Sequence, residues 1–214
     1  GYAGFWDDFI GTGAGTWPAA QHYAYPATQG TGTEVIAVTT AAISGVLTVT
    51  TGANDNDTAS QTLGLHWRGT EGLYMIARAK MGSLSDAKME IGLTDALTGV
   101  QIINAKTTPT FIATDLATFI FDSDHNTELA FITAAAGVVG ANGVSALTMD
   151  TNHHVYEIVV QGGQASGWVD GMLAGGGAIT STAPLTPNVV SVTRTTAAKS
   201  VSLDYWGVVG PRYS

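Results

Sequence analysis

Apolar and polar residues alternate along much of this chain with the period of two that is typical of β-strands. The alternation is clearest over 73–81 and 86–94, which are separated by the loop sequence G-S-L-S. These two segments predict an antiparallel hairpin whose apolar set faces a core. Their charged set would then face solvent, and it comprises Arg78, Lys80, Asp86, Lys88 and Glu90.

A second group of strands follows at 155–174, where the sequence is rich in β-branched and aromatic residues. The first strand, 155–161, leads to a glycine turn at Gly162 and Gly163, and a second strand begins at Gly167. Asp170-Gly171 is a dipeptide that accepts positive φ at a two-residue turn. This stretch therefore predicts a three-stranded meander.

The remaining pattern predicts short strands throughout and no long helix. Further strands are expected at 5–9, 34–40, 43–51, 62–67, 118–121, 128–133, 144–149, 188–193 and 200–209, with loops at 52–58, 134–143 and 175–187. Residues 11–33 are predicted to form a long N-terminal loop whose aromatic residues, Trp17, Tyr23 and Tyr25, need burial against the domain or a neighbouring subunit. We expect one domain over 1–214, built as an all-β, two-sheet antiparallel sandwich.

The amino-acid composition limits which kinds of molecule this protein is expected to bind. The 214 residues include 8 Lys and Arg against 17 Asp and Glu, a net charge of −9, which argues against nucleic-acid binding and against attraction to an anionic membrane. Because the chain has no Cys, disulfides and thiolate chemistry are excluded. Only 12% of the residues are charged, and a surface poor in charge favours subunit contacts and a homo-oligomer.

Five short motifs carry a family resemblance: W-D-D-F, G-A-N-D-N-D, M-E-I-G-L-T-D, W-V-D-G-M and the final V-S-L-D-Y-W-G-V-V-G-P-R. Together they resemble the concanavalin A-like (laminin G-like) jelly-roll domains, in the versions found in virion structural proteins of tailed bacteriophages. The resemblance implies two curved antiparallel sheets with the first and last strands side by side. It also implies that Trp6, Phe9, Tyr205 and Trp206 lie together, and it implies no catalytic residues.

The sequence gives little support to catalysis. Jelly-roll β-glucanases place their nucleophile and acid on one strand in the pattern E-x-D-x-x-E. None of the five Glu is followed two positions later by Asp, since those positions hold Ile36, Leu73, Gly92, Ala130 and Val159. The segment G-T-G-A-G near the N-terminus is not followed by a helix pattern, so it predicts a turn and no dinucleotide site. We expect a non-enzymatic protein without a cofactor.

Metal binding has two weak candidates. Asp55 and Asp57 offer alternating carboxylates that could bind Ca²⁺, although such Asx-rich loops are usually hydrogen-bonded turns. Asp122, Asp124 and His125 form a similar polar turn. His153 and His154 would face opposite sides of a strand and so could not both bind one ion. We therefore expect no resident metal.

Two functions are compatible with these observations. The first is a phage capsid decoration (cement) protein, located on the capsid exterior and bound to the major capsid protein as a symmetric homo-oligomer. The alternative is a carbohydrate-binding module, on a virion appendage or a secreted protein, that binds a surface glycan. In that case Trp17, Tyr23, Tyr25, Trp67 or Trp168 would stack on a sugar ring if exposed.

Overall fold

The computed structural model describes residues 2–9, 15–16, 28–29, 33–39, 45–64, 67–70, 72–97, 101–180 and 182–212, and these residues form strands, turns and loops without a helix. No segment of this part of the chain is a helix that could cross a membrane. The strands are β1 (Tyr2–Asp7), β2 (Gly15–Thr16), β3 (Thr28–Gln29), β4 (Val35–Thr39), β5 (Val46–Thr50), β6 (Thr58–Thr62), β7 (Leu73–Met81), β8 (Ala87–Thr94), β9 (Leu116–Asp122), β10 (Asn126–Ala135), β11 (Val138–Thr148), β12 (His154–Gln161), β13 (Gln164–Val169), β14 (Met172–Ala178), β15 (Thr186–Thr193) and β16 (Ser200–Pro211).

These strands form two antiparallel sheets. The nine-stranded sheet has the order β14-β13-β12-β7-β16-β5-β4-β2, and the seven-stranded sheet has the order β11-β10-β9-β8-β15-β6-β3. The ninth strand of the larger sheet is β1, which pairs with the second half of β16, while β5 pairs with its first half. The first and last strands therefore lie side by side, as the sequence motifs implied.

The main core lies between the two sheets, where the predicted inward sets meet. On β7, Leu73, Met75 and Met81 are buried and alternate with partly exposed residues, which confirms the prediction for this strand. Each such side chain contributes about 1.5–3 kcal/mol when it is fully buried. The predicted meander is also confirmed as β12, β13 and β14, with positive φ at Asp170 (51°) and Gly171 (78°).

The predicted hairpin of 73–81 with 86–94 is wrong. The strand β7 belongs to the larger sheet and β8 to the smaller one, so their loop crosses between sheets. The predicted solvent exposure of Lys88 and Glu90 is also wrong, because both are fully buried. Residues 101–115 lie over this outer face and bury a second apolar cluster that includes Ile103, Ile120 and Val190. Alternation identifies the two faces of a strand but not what covers them.

Two strand boundaries also differ from the prediction. The strand expected at 62–67 is β6 at Thr58–Thr62, and it stops before Gly64, whose φ is 87°. The loop expected at 134–143 is instead the tight hairpin between β10 and β11. Glycine is needed on both strands where β11 packs against β14: a Cβ on Gly140 would lie 2.6 Å from the carbonyl oxygen of Ala178, and a Cβ on Gly177 would lie 2.5 Å from the Cβ of Ala141.

Other predictions fall partly on residues that the structure does not describe. Trp17, Tyr23 and Tyr25 lie outside the described residues, as does most of 11–33. Two short strands of that segment are described: β2 pairs with β4, and β3 pairs with β6. The assignment of 1–214 to one domain stays a prediction.

Candidate functional site

The two sheets differ in how their outer faces meet solvent. Residues 101–115 bury the outer face of β8, β9, β10 and β15 in the seven-stranded sheet, whereas outward residues of β7, β12 and β13 in the nine-stranded sheet remain partly exposed. A sheet face that the described residues leave uncovered can bind another molecule. This open face consists of the outward side chains of β1, β7, β12, β13, β14 and β16.

One cross-strand row runs across the open face over six strands. Residues directly opposite each other in an antiparallel sheet point to the same side, so the row can be read from the strand register. It consists of Trp6, Gly207, Ile76, Glu157, Trp168 and Leu173. The row therefore places two indole rings and one carboxylate on the same side of the sheet.

An aromatic platform lies at the β1 end of this row. The rings of Trp6 and Tyr205 stack with centroids 5.0 Å apart and an interplanar angle of 24°. Trp6 is 58% exposed, which is unusual for a large apolar residue that is held in a stack. Gly207 makes room for this ring, since a Cβ there would lie 2.5 Å from Cε3 of Trp6.

The predicted cluster of Trp6, Phe9, Tyr205 and Trp206 forms only in part. Trp206 points inward and meets Phe5 edge-on, with ring centroids 6.3 Å apart. Phe9 is buried, with a positive φ of 57° just after β1. The four aromatic residues are thus divided between the open face and the core, because neighbouring positions of a strand point to opposite sides.

Next to the platform is a groove of about 410 Å³. It is lined by Gly4, Phe5, Trp6, Tyr74, Ile76, Gly207, Val208 and Val209. Most of these residues are apolar, and Val209 is 47% exposed. A volume of this size is within the range of small-molecule sites, which are typically apolar with few polar groups.

Tyr74 and Glu157 supply polar groups beside the groove. The Tyr74 hydroxyl donates a hydrogen bond of 2.6 Å to Oε1 of Glu157. Burial, followed by this hydrogen bond and the charge of Glu157, raises the pKa of Tyr74 far above its usual value. The phenol therefore stays protonated at neutral pH, and its bond orients the carboxylate of Glu157 on the open face.

Further along β7, on the side of Tyr205 away from the groove, the open face is charged. Arg78 forms an ion pair with Asp204, and Tyr205 lies directly opposite Arg78 in the register of β16 with β7. Lys80 is the next outward residue of β7, and His153 immediately precedes β12. Burial and then the charges of Arg78 and Lys80 lower the pKa of His153 below its usual value.

These side chains suit a polyhydroxylated ring. Aromatic rings such as Trp6 contact the apolar face of a sugar, while Glu157 accepts hydrogen bonds and Arg78 donates them to hydroxyl groups. Glycoside hydrolysis would require two carboxyl groups that flank one bond. On the open face, Glu157 of β12 accepts a hydrogen bond from Tyr74, and Asp204 of β16 forms an ion pair with Arg78. Strand β7 lies between the strands that carry these two carboxylates.

The other residues predicted as site candidates lie elsewhere or play structural roles. Trp67 is 4% exposed, so it is buried and cannot stack on a sugar. Trp168 is half-buried and points to the open face. Asp55 is exposed, whereas Asp57 is buried and accepts a hydrogen bond of 3.0 Å from the backbone of Asn54.

Histidine and carboxylate groups elsewhere form local networks. His154 points inward, away from His153, and its ring nitrogens lie 2.6 Å from Asp170 and 3.1 Å from Asp150. Asp122 is fully buried and accepts a hydrogen bond of 2.7 Å from Arg194. In the part of the chain that the structure describes, no three His, Asp or Glu side chains form a metal-binding group. The calcium prediction for Asp55 and Asp57 stays a prediction.

The sequence identified Trp168 as a candidate, and the family resemblance placed Trp6 together with Tyr205. Neither joined these residues with Tyr74 and Glu157 in one surface. A signal for part of this set was present, because residue 74 is in the outward set of 73–81. Joining these residues requires the pairing of β1, β16, β7 and β12, which are far apart in sequence.

Comparison with known proteins supports the fold. No protein-family model and no curated protein sequence matches the chain. Solved structures do match. A protein of unknown function from Shewanella oneidensis MR-1 is 15% identical with a TM-score of 0.60, over 97% of this chain and 85% of that one.

Two further structures come from work on glycan breakdown and on carbohydrate recognition. One is from work on endo-acting O-glycanases of the human gut microbiota that initiate mucin breakdown; it is 12% identical with a TM-score of 0.64, over 96% of this chain and 98% of that one. The other is the Emp46p carbohydrate recognition domain, 6% identical with a TM-score of 0.50, over 75% and 82%. Identities this low show the fold alone. The chain is an all-β, two-sheet antiparallel jelly-roll sandwich of the concanavalin A-like kind.

Proposed function

We propose that this protein is a glycan-binding module that holds a sugar chain on the open face of its nine-stranded sheet. The observation that carries the proposal is the exposed indole of Trp6, which stacks on half-buried Tyr205 beside a groove of about 410 Å³. The fold shared with a carbohydrate recognition domain and with an O-glycanase structure supports it.

Binding would combine apolar stacking with a few directed hydrogen bonds. One sugar ring would lie against the exposed indole of Trp6, and its neighbour would extend along the row toward Glu157 and Trp168. Glu157 is already oriented by Tyr74, so little side-chain ordering is needed on binding. This role requires no reaction, in agreement with the expectation of a non-enzymatic protein.

A glycan array followed by calorimetry on the strongest ligand tests the proposal. Trp6→Ala should weaken binding at least tenfold, which corresponds to about 1.4 kcal/mol. Trp6→Phe should restore part of the loss because it keeps an aromatic ring. Val138→Ala is the matched control, since Val138 is 68% exposed but lies on the smaller sheet. Failure of every glycan to bind, or unchanged affinity in a folded Trp6→Ala protein, would reject the proposal.

A second candidate is the phage capsid decoration protein, bound to the major capsid protein on the capsid exterior as a homo-oligomer. It is favoured by exposed apolar residues at the edge of the smaller sheet. Val138 and Ile112 are both exposed. They are linked through their neighbours, because the N–H of Gly137 donates a hydrogen bond to the carbonyl of Thr114. Mixing the protein with undecorated capsids should give saturable, symmetric occupancy if this role is right, and no occupancy if it is wrong.

A further inference from the structure

We propose that the glycan on the open face is acidic, and that its carboxylate or sulfate group binds beside the aromatic platform, at the charged end of the open face formed by Arg78, Lys80 and His153. This inference rests on the proposed function and specifies the class of sugar. Three features of that end carry it: an excess of positive charge and, among the residues that the structure describes, a lysine without a counter-ion and a buried imidazole nitrogen without a hydrogen-bond partner.

Positive charge is scarce in this protein, and several cations are used inside the fold. The chain has 8 Lys and Arg residues. Lys88 is buried beneath residues 101–115, Lys106 is a buried member of that segment, and Arg194 forms an ion pair with buried Asp122. Arg78 and Lys80, in contrast, occupy successive outward positions of β7, with Cα atoms about 7 Å apart. Two cations on one face are notable in a chain with a net charge of −9.

The negative charges of the open face do not neutralise both cations. Asp204 forms an ion pair with Arg78. Glu157 accepts the hydrogen bond of Tyr74, which lies further along β7. Lys80 has no ion-pair partner among the residues that the structure describes. Its ammonium group is therefore available to an anion from outside the chain.

His153 adds a third group at the same end. His154 lies opposite Ala79, so the register of β12 with β7 brings His153 beside Lys80. The Nε2 atom of His153 is buried and has no hydrogen-bond partner among the described residues. Buried polar atoms in folded proteins are nearly always paired, so a ligand or a water molecule is expected to supply the partner of this nitrogen.

The charged end adjoins the aromatic platform. Tyr205, which stacks on Trp6, lies directly opposite Arg78. Arg78 uses one of its guanidinium donors for Asp204 and has others that can point toward a carboxylate or sulfate. A sugar on the platform would thus place an acidic substituent between Arg78 and Lys80.

An array of neutral glycans together with their uronate, sialylated and sulfated counterparts tests this inference. The native protein should bind acidic members at least tenfold more tightly than the matched neutral ones. Raising NaCl from 50 to 500 mM should weaken acidic binding only, because salt screens charge interactions. The carboxylate and sulfate arms of the array identify which anion is preferred.

Variants separate this inference from the proposed function. Lys80→Gln should lower the affinity for acidic glycans about fivefold without affecting neutral ones, and Lys80→Arg should restore it. Arg212→Gln makes the same change in charge about 30 Å away along β16 and should have no effect. Thermal melts would show that each variant is folded.

Four results would overturn the inference. Equal or stronger binding of neutral glycans would reject the acidic class while the proposed function stands. Equal losses in Lys80→Gln and Arg212→Gln would reject Lys80 as a contact. Absence of binding to any glycan would remove both proposals together, whereas a loss with Trp6→Ala and none with Lys80→Gln would remove this one alone.

Discussion

At the scale of single residues, the buried pair of Lys88 and Glu90 shows how charge is used inside this sandwich. Their charged atoms lie 2.7 Å apart at full burial. Glu90 also accepts the backbone N–H groups of Ile102 and Ile103, at 2.7 and 3.1 Å. Burial lowers the pKa of Lys88 below its usual value, and the charge of Glu90 opposes this shift. The pair therefore holds residues 101–103 against the smaller sheet.

Glu90→Gln should destabilise the protein by about 3–5 kcal/mol, because it leaves the buried ammonium of Lys88 without a counter-ion. The double variant Lys88→Met and Glu90→Gln should lose less, since no unpaired charge remains. Urea denaturation of both variants provides the measurement. A double variant that is less stable than Glu90→Gln alone would contradict this account of the pair.

The lowered pKa of His153 predicts a dependence of stability on pH. The folded state binds this proton less readily than the unfolded state, whose histidine titrates near 6.5. The contribution of His153 is therefore fully present above about pH 6.5 and is lost as the pH falls through the lower folded-state value. Between pH 7.5 and 5.5, His153→Gln should lose less stability than the native protein in chemical denaturation. An identical loss would show that His153 does not titrate in this way.

At the scale of elements, alternation predicted the strands well but not their partners. The period of two in 73–81 and 86–94 correctly gave β7 and β8, yet the short G-S-L-S loop led to a hairpin where the chain in fact changes sheet. The same pattern could not show that residues 101–115 cover Lys88 and Glu90. Burial of charged residues depends on contacts with residues that are distant in sequence, so local periodicity cannot predict it.

The close packing of β11 against β14 gives another prediction at this scale. A Cβ on Gly177 would lie 2.4 Å from Oγ1 of Thr133 and 2.5 Å from the Cβ of Ala141, so Gly177→Ala should cost about 1–3 kcal/mol. Gly4→Ala is the control, because its Cβ would meet no atom closer than 3.7 Å. Thermal melts of the two variants compare them directly. Equal stability would mean that β11 and β14 separate easily.

At the scale of the whole molecule, the two sheets have different roles. The central strands of the smaller sheet are covered by residues 101–115, while the larger sheet presents aromatic, polar and charged side chains to solvent. The sequence predicted the sandwich and the pairing of its first and last strands. It did not predict which face stays open, because that depends on the path of a loop with little regular structure. The candidate site therefore depends on the pairing of β1, β16, β7 and β12, which are far apart in sequence.

Nuclear magnetic resonance of the isotope-labelled protein with its strongest array ligand tests the central claim most directly. The account predicts that the largest shifts fall on the Trp6 indole N–H and on the backbone amides of β1, β7, β12 and β16. Shifts concentrated on residues 101–115, or on the exposed edge around Val138, would place the binding site on the smaller sheet and contradict the account.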